Sequence, residues 1–143
     1  MRLVIQRIKK GKVSVAGKTV SETGVGLFVL VGVGQGDKKE DAEMLAEKLF
    51  KMRIMADDSV KMNLTVNDAG GEFLVVSQFT LYGNTKGGNR PSFIEAARPE
   101  VAEPVYKYFV ECLRNLRGRV ATGAFGEYMK IDVELDGPVT IIV

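Results

Sequence analysis

Histidine and tryptophan are absent from the 143-residue chain, and cysteine occurs once. Each absence removes a class of chemistry. Without histidine there is no Ser-His-Asp or Cys-His machinery within the chain, no imidazole base near neutral pH and no His-ligated zinc. A single cysteine makes no intramolecular disulfide, no zinc or iron–sulfur cluster and no C-x-x-C redox pair. The longest apolar run, Gly26 to Val33, is far short of the ~20 residues a membrane helix needs. The first residues lack the basic-then-apolar layout of a secretion signal, so a reducing, cytoplasmic setting without membrane contact is expected. An enzyme made from this sequence must work with carboxylates, hydroxyls, Lys and Arg, backbone groups, or chemistry borrowed from its substrate.

What is present matches an ordinary globular protein: 45% apolar and 27% charged residues exclude a disordered or fibrous chain. The length predicts one domain over residues 1–143, able to bury roughly two-thirds of its unfolded surface without staples. Net charge is only +2, so bulk electrostatics do not announce a nucleic-acid binder. The charge is uneven, however. Arg2, Arg7, Lys9, Lys10, Lys12 and Lys18 precede the first acid, Glu22, and Lys86 with Arg90 forms a second surplus. Solvated surface accounts for both, although one phosphate-rich end of a ligand needs only a few such groups.

Alternation of Leu3, Ile5 and Ile8 against polar neighbours, followed by Val13 and Val15, reads as a hairpin turning at Lys10–Gly11. A short extended piece starts at Gly17–Lys18, and Gly26–Val33 suits a central strand covered on both faces. Asp37 to Glu40 has the form of a capping box, with Ala42, Leu45, Ala46, Leu49 and Met52 at helical spacing behind it to about Arg53. Glu72–Phe79 reads as another buried strand and Gly83–Arg90 as a loop. A second helix over Glu100–Leu116 would bury Val101, Val105, Tyr108, Phe109, Cys112 and Leu116, with Pro104 tolerable only near its first turn. Two strands broken at Asp136-Gly137-Pro138 fill Val120–Val143. This order predicts an α/β fold of β-rich sheets with two helices packed on one side.

Several candidate sites reduce to plain structure. Gly32-Val33-Gly34-Gln35-Gly36-Asp37 follows a strand and opens a helix, but the third glycine of a dinucleotide loop falls on Asp37, whose carboxylate would face the pyrophosphate. Capping explains Asp37 better. Gly83–Gly88 has phosphate-loop spacing, but Asn89-Arg90 stands where Lys-Ser/Thr is required. Cys112 reads as a small core residue, and Asp57-Asp58 and Glu40-Asp41 as turn and helix-start residues, so no metal site is expected. Ser77-Gln78-Phe79-Thr80 is different. It ends a buried strand with three polar side chains and free backbone N–H groups at the rim of a core, groups that can receive a developing oxyanion. Ordinary strand-end hydrogen bonding is the competing reading.

Taken together, Ser77-Gln78-Phe79-Thr80-Leu81, Asn89-Arg90-Pro91-Ser92-Phe93, Thr122-Gly123-Ala124-Phe125-Gly126 with Met129, and Gly137-Pro138-Val139-Thr140 resemble the motif set of the D-aminoacyl-tRNA deacylases. The resemblance covers essentially the whole chain in order. It implies a homodimer of β/β/α layered, barrel-like subunits with active sites at the subunit interface, which hydrolyses the ester joining a D-amino acid to the 3′ end of tRNA and rejects L-aminoacyl-tRNA. On the same basis Gly137-Pro138 corresponds to a cis peptide that enters the partner's site and excludes an L side chain. Ser77, Gln78 and Thr80 hold the scissile ester, the Phe79 N–H is the oxyanion donor, and Phe125 and Met129 line the terminal adenosine pocket. Lys86 and Arg90 are candidate RNA contacts. No cofactor or metal is implied.

That activity agrees with the absences. An aminoacyl ester is already activated, so its hydrolysis needs positioning and oxyanion stabilisation more than a strong base. If the terminal ribose 2′-OH orients or activates the water, the missing histidine is no obstacle. Thr80 is then a water-orienting group in preference to a nucleophile, since nothing in the sequence lowers the pKa of its hydroxyl. Glycine has no side chain to reject, so glycyl-tRNA should be cleaved as well. The rival readings are a non-catalytic RNA- or nucleotide-binding module, a Ser-Lys or Thr-based hydrolase of small esters, and a structural protein whose Val139–Val143 strand is a dimer seam.

Overall fold

The structure, a computed structural model, describes residues Met1–Val143. Strands β1 (Arg2–Val15), β2 (Lys18–Thr23) and β3 (Gly26–Gly32) follow one another and lead to helix α1 (Lys39–Lys51). A small hairpin of β4 (Met55–Ala56) and β5 (Met62–Leu64) comes next, then β6 (Glu72–Ser77) and a 3₁₀ turn at Phe79–Tyr82. Helix α2 (Pro99–Asn115), β7 (Val120–Thr122) and β8 (Lys130–Ile142) complete the chain. The predicted order of strands and helices is observed, with the β4–β5 hairpin in addition.

The main sheet runs β2-β1-β3-β6-β7, with β8 also paired to β1. Its 14 residues let β1 serve three antiparallel partners, β3 along its first half, β2 along its second and β8 over both. The β3–β6 and β6–β7 pairs are parallel, so the sheet is mixed. At its far ends the Ser21 hydroxyl of β2 donates to the Thr122 carbonyl of β7 at 2.8 Å, nearly closing the sheet into a barrel.

Alternation along β3 separates two cores. Leu27, Val29 and Val31 join Leu3, Ile5, Phe73 and Val75 against Ala42, Leu45, Ala46 and Leu49 of α1 and Val105, Phe109 and Leu113 of α2. Phe28 points the other way, into the barrel with Ile8, Val13, Leu74 and Val76, where Ile131 and Val133 of β8 cover it. Burial on both faces is why Gly26–Val33 carries no polar alternation. Both helices pack on one side, which gives the expected β/β/α layering.

Four local expectations are corrected. Lys10–Gly11 is not a turn: β1 runs straight through it, and the chain reverses at Ala16–Gly17, both with positive φ (48° and 78°). Gly11 serves packing instead, since a Cβ there would lie 2.6 Å from Leu74 Cδ2. Asp37 does not cap α1. The Lys38 N–H donates to Asp41 at 2.8 Å, while the Asp37 carboxylate accepts from the Gly34 N–H and the Met1 ammonium, each at 2.6 Å, and from the Tyr82 hydroxyl at 3.3 Å. In α2 the buried face is Val105, Tyr106, Phe109, Val110 and Leu113. Val101 is 52% exposed and Tyr108 and Cys112 sit at the core's edge, because the helix packs against α1 and the sheet together. Pro104 is in the second turn, and the helix continues past it. Finally, the break at Asp136–Pro138 is a bulge within β8: Ile8 pairs with Leu135 and Gln6 with Thr140, so two steps along β1 span five along β8.

Candidate active site

Strand β6 carries four buried apolar residues, Phe73–Val76, straight out of the core, and the chain becomes polar where it emerges. It ends at Ser77, two residues before the expected limit. Gln78 remains extended, and Phe79–Tyr82 tightens into the 3₁₀ turn, closed by the Gly83 N–H on the Thr80 carbonyl at 2.9 Å. Gly32 at the end of β3 and Gly34 just beyond it make room for it. A Cβ at Gly34 would lie 2.6 Å from the Tyr82 ring, and one at Gly32 would lie 3.1 Å from Leu81 Cβ. The Gly32–Gly36 stretch is therefore a seat for this turn, not a nucleotide loop. Tyr82 is the anchor: Arg2 stacks 4.3 Å over its ring and donates to the Leu81 carbonyl. Burial, reinforced by the neighbouring Asp37 carboxylate, pushes the Tyr82 hydroxyl up to about 12.

The first N–H groups of a helical turn have no acceptor within it. Here the Phe79 and Thr80 N–H groups donate to no backbone carbonyl, whereas the Gln78 N–H is held by Val31 and the Leu81 N–H by Gln78. Gln78 Nε2 donates to Thr80 Oγ at 2.5 Å. Both Phe79 and Thr80 are exposed, at the rim of a cleft of about 850 Å³ with 18 lining residues, 11 of them hydrophobic.

That cleft brings most of the expected residues together: Ser77, Gln78, Phe79, Thr80, Phe125 and Met129 all line it. Phe79 meets Phe93 edge to face at 5.1 Å. Phe125 lies 5.9 Å from the ring of Tyr106, whose buried hydroxyl donates to the Val75 carbonyl at 2.9 Å. Met129 is set by its sequence neighbours. Its sulfur accepts the Ala124 N–H at 3.3 Å, and a Cβ at Gly123 would come within 2.6 Å of it.

Other expected residues lie elsewhere. Lys86 and Arg90 sit on the exposed Gly83–Arg90 loop and do not line the cleft. Gly137 and Pro138, joined by a cis peptide bond, are exposed on the β8 bulge, also outside the cleft of their own chain. The bulge is tied down by Arg7, which the charge pattern had assigned to solvated surface. Its Nε lies 2.9 Å from the Asp136 carboxylate, and its Nη1 donates to the Ile54 carbonyl at 3.1 Å. Arg98, Glu127 and Tyr128 also line the cleft, and sequence reasoning passed over all three. The signal for Tyr128 was there: an aromatic inside the Thr122–Met129 motif with no apolar periodicity to bury it.

No three metal-ligating side chains converge anywhere in the molecule. No helix is long and apolar enough to cross a membrane. Two unengaged N–H donors beside a hydroxyl, in an apolar cleft without an imidazole, suit an already activated carbonyl that acquires negative charge.

A family model described as D-Tyr-tRNA(Tyr) deacylase matches residues 4–143. The D-aminoacyl-tRNA deacylase of Carboxydothermus hydrogenoformans is 51% identical over 143 residues, covering 100% of this chain and 99% of that one. The corresponding protein of Thermosipho africanus is 50% identical, covering 100% and 96%. Among solved structures, one titled c-Myc DNA Unwinding Element Binding Protein superposes with a TM-score of 0.93 at 37% identity, covering 100% of this chain and 97% of that one. A second, titled a probable eukaryotic D-amino acid tRNA deacylase, shares the fold with a TM-score of 0.84 at 20% identity, covering 99% and 97%.

Proposed function

The chain belongs to the D-Tyr-tRNA(Tyr) deacylase family and is a D-aminoacyl-tRNA deacylase; from that premise we propose that the Phe79–Met129 cleft performs the hydrolysis without a protein base. The observation that carries this reading is the pair of unengaged N–H groups on Phe79 and Thr80 at the cleft rim. Phe125 and Met129 hold the terminal adenosine. Ser77, Gln78 and Thr80 orient the ester so that its carbonyl oxygen faces the Phe79 N–H. Water adds to the carbonyl carbon, the oxyanion is held by that donor, and collapse expels the ribose oxygen, which takes up a proton as the free hydroxyl. The vicinal ribose 2′-OH orients the water and relays the proton. Removing one oxyanion donor typically costs 10²–10³ in kcat, so this interaction supplies a large share of the acceleration.

Chirality is read by exclusion. Gly137 and Pro138 act in the site of a second copy of the chain, a role supported by their exposure and by their absence from their own cleft. A D side chain turns away from them and an L side chain meets them. Glycyl-tRNA, with no side chain to reject, is also a substrate. Lys86 and Arg90 contact RNA outside the reacting end, a role supported by their exposure on a separate loop.

The test is D-Tyr-tRNA whose terminal ribose lacks the 2′-OH. Substrate assistance predicts a loss of at least 100-fold in kcat with bound substrate unchanged. Undiminished turnover of the 2′-deoxy substrate would refute it and return attention to Thr80.

A further inference from the structure

Arg98 and Tyr128 line the cleft and have no part in the hydrolysis proposed above. Tyr128, on its lining, is 94% exposed, on the same short loop as Phe125 and next to Met129. An aromatic ring in that condition contributes nothing to the core. Of the other lining residues only Arg98 and Glu127 carry charge. Arg98 is exposed and takes part in none of the ion pairs of the molecule.

Resting on the function proposed above, we propose that Tyr128 and Arg98 form a second nucleotide subsite, with the Tyr128 ring stacking on the base immediately 5′ of the terminal adenosine and Arg98 engaging the phosphate that joins the two. Single-stranded nucleic acid is held in this way: an aromatic face for the base, tolerant of its identity, and a cation for the backbone. Neither residue has a part in the hydrolysis proposed above, so the subsite governs binding and orientation, not the chemical step. It gives the deacylase a way to require RNA. It also explains why an exposed tyrosine stands in a loop otherwise shaped by Gly123, Gly126 and the Met129 sulfur.

The experiment compares two substrates, the D-tyrosyl ester of adenosine and that of the trinucleotide cytidylyl-cytidylyl-adenosine, as a ratio of kcat/KM for each variant. The ratio is an internal control against misfolding, which lowers both values together. The wild-type ratio should lie well above one, and Tyr128→Ala should reduce it by roughly 5- to 150-fold, the range for one base–aromatic stack. Tyr128→Phe should keep it. Arg98→Gln should lower the ratio and reduce the salt dependence of trinucleotide binding by about one phosphate's share, roughly 0.7 in the logarithmic slope. A ratio unchanged in Tyr128→Ala overturns the subsite. So does a loss of slope in Lys107→Gln but not Arg98→Gln, because the strand would then leave by the neighbouring cleft that Lys107 and Phe125 line. A wild type that cleaves both esters equally overturns the subsite alone. One that cleaves neither overturns the deacylase reading with it.

Discussion

Gln78 Nε2 donates to Thr80 Oγ at 2.5 Å, so the threonine oxygen is already an acceptor and its own proton remains to be given away. A nucleophilic threonine needs the reverse, a base that removes that proton. The proposed mechanism accordingly uses Thr80 as a donor to substrate or water. Thr80→Ala should therefore lower kcat by about tenfold or less, the size of one neutral hydrogen bond. Loss on the order of 10⁶, as when a true nucleophile is removed, would contradict this; single-turnover kinetics on D-Tyr-tRNA decide it.

Glu127 is the one carboxylate on the cleft lining. A base-free hydrolysis does not use it, and Glu127→Gln should keep kcat within about threefold with an unchanged pH–rate profile. Removing a real general base costs about 10²–10⁴-fold. A drop of that size would move the proton transfer from the ribose to this side chain.

Arg7 joins parts of the chain far apart in sequence, Ile54 after α1 and Asp136 at the foot of the β8 bulge. Arg7→Gln should release the bulge and orphan the Ile54 carbonyl, lowering stability by about 1–3 kcal/mol. The more telling result is stereochemical: with the bulge excluding the L side chain as proposed, releasing it should lower the D-to-L ratio of hydrolysis rates. An unchanged ratio, measured at a temperature where the variant is fully folded, would separate Arg7 from selection.

Where the sequence was legible, each feature had one local physical cause. The apolar run of β3 and the Ala42, Leu45, Ala46 and Leu49 stripe of α1 are period and burial alone, and both were found. Ser77–Thr80 was visible because polarity changes abruptly at the end of a buried strand. The misreadings share a different origin. Gly11 looks the same in sequence whether it turns the chain or admits Leu74, and Asp37 before a helix looks like a cap whether or not Tyr82 and Met1 reach it. Arg7 was read as surface because its partner lies 129 residues away. The β4–β5 hairpin, with strands of two and three residues, is too short to show a period.

Alkaline pH should expose the Tyr82 anchor. Its hydroxyl is raised in the folded protein from an ordinary 10.0 to about 12, burial first and Asp37 second, so folding favours the neutral form. That stabilisation is whole below pH 10 and is lost as pH rises through about 12, because the unfolded chain sheds the proton first. Tyr106, pushed up by burial, acts in the same direction. Urea midpoints at pH 9 and pH 11.5 should fall for the wild type and fall less for Tyr82→Phe. An equal fall in both would place the alkaline sensitivity elsewhere.

The account as a whole rests on release of free amino acid from D-Tyr-tRNA, L-Tyr-tRNA and glycyl-tRNA in parallel, at one enzyme concentration. It predicts rapid loss of the D-ester, loss of the glycyl ester, and an L-ester that decays no faster than in buffer. An intact glycyl ester beside a cleaved D-ester would contradict selection by exclusion. Cleavage of the L-ester at the D rate would contradict stereochemical selection altogether.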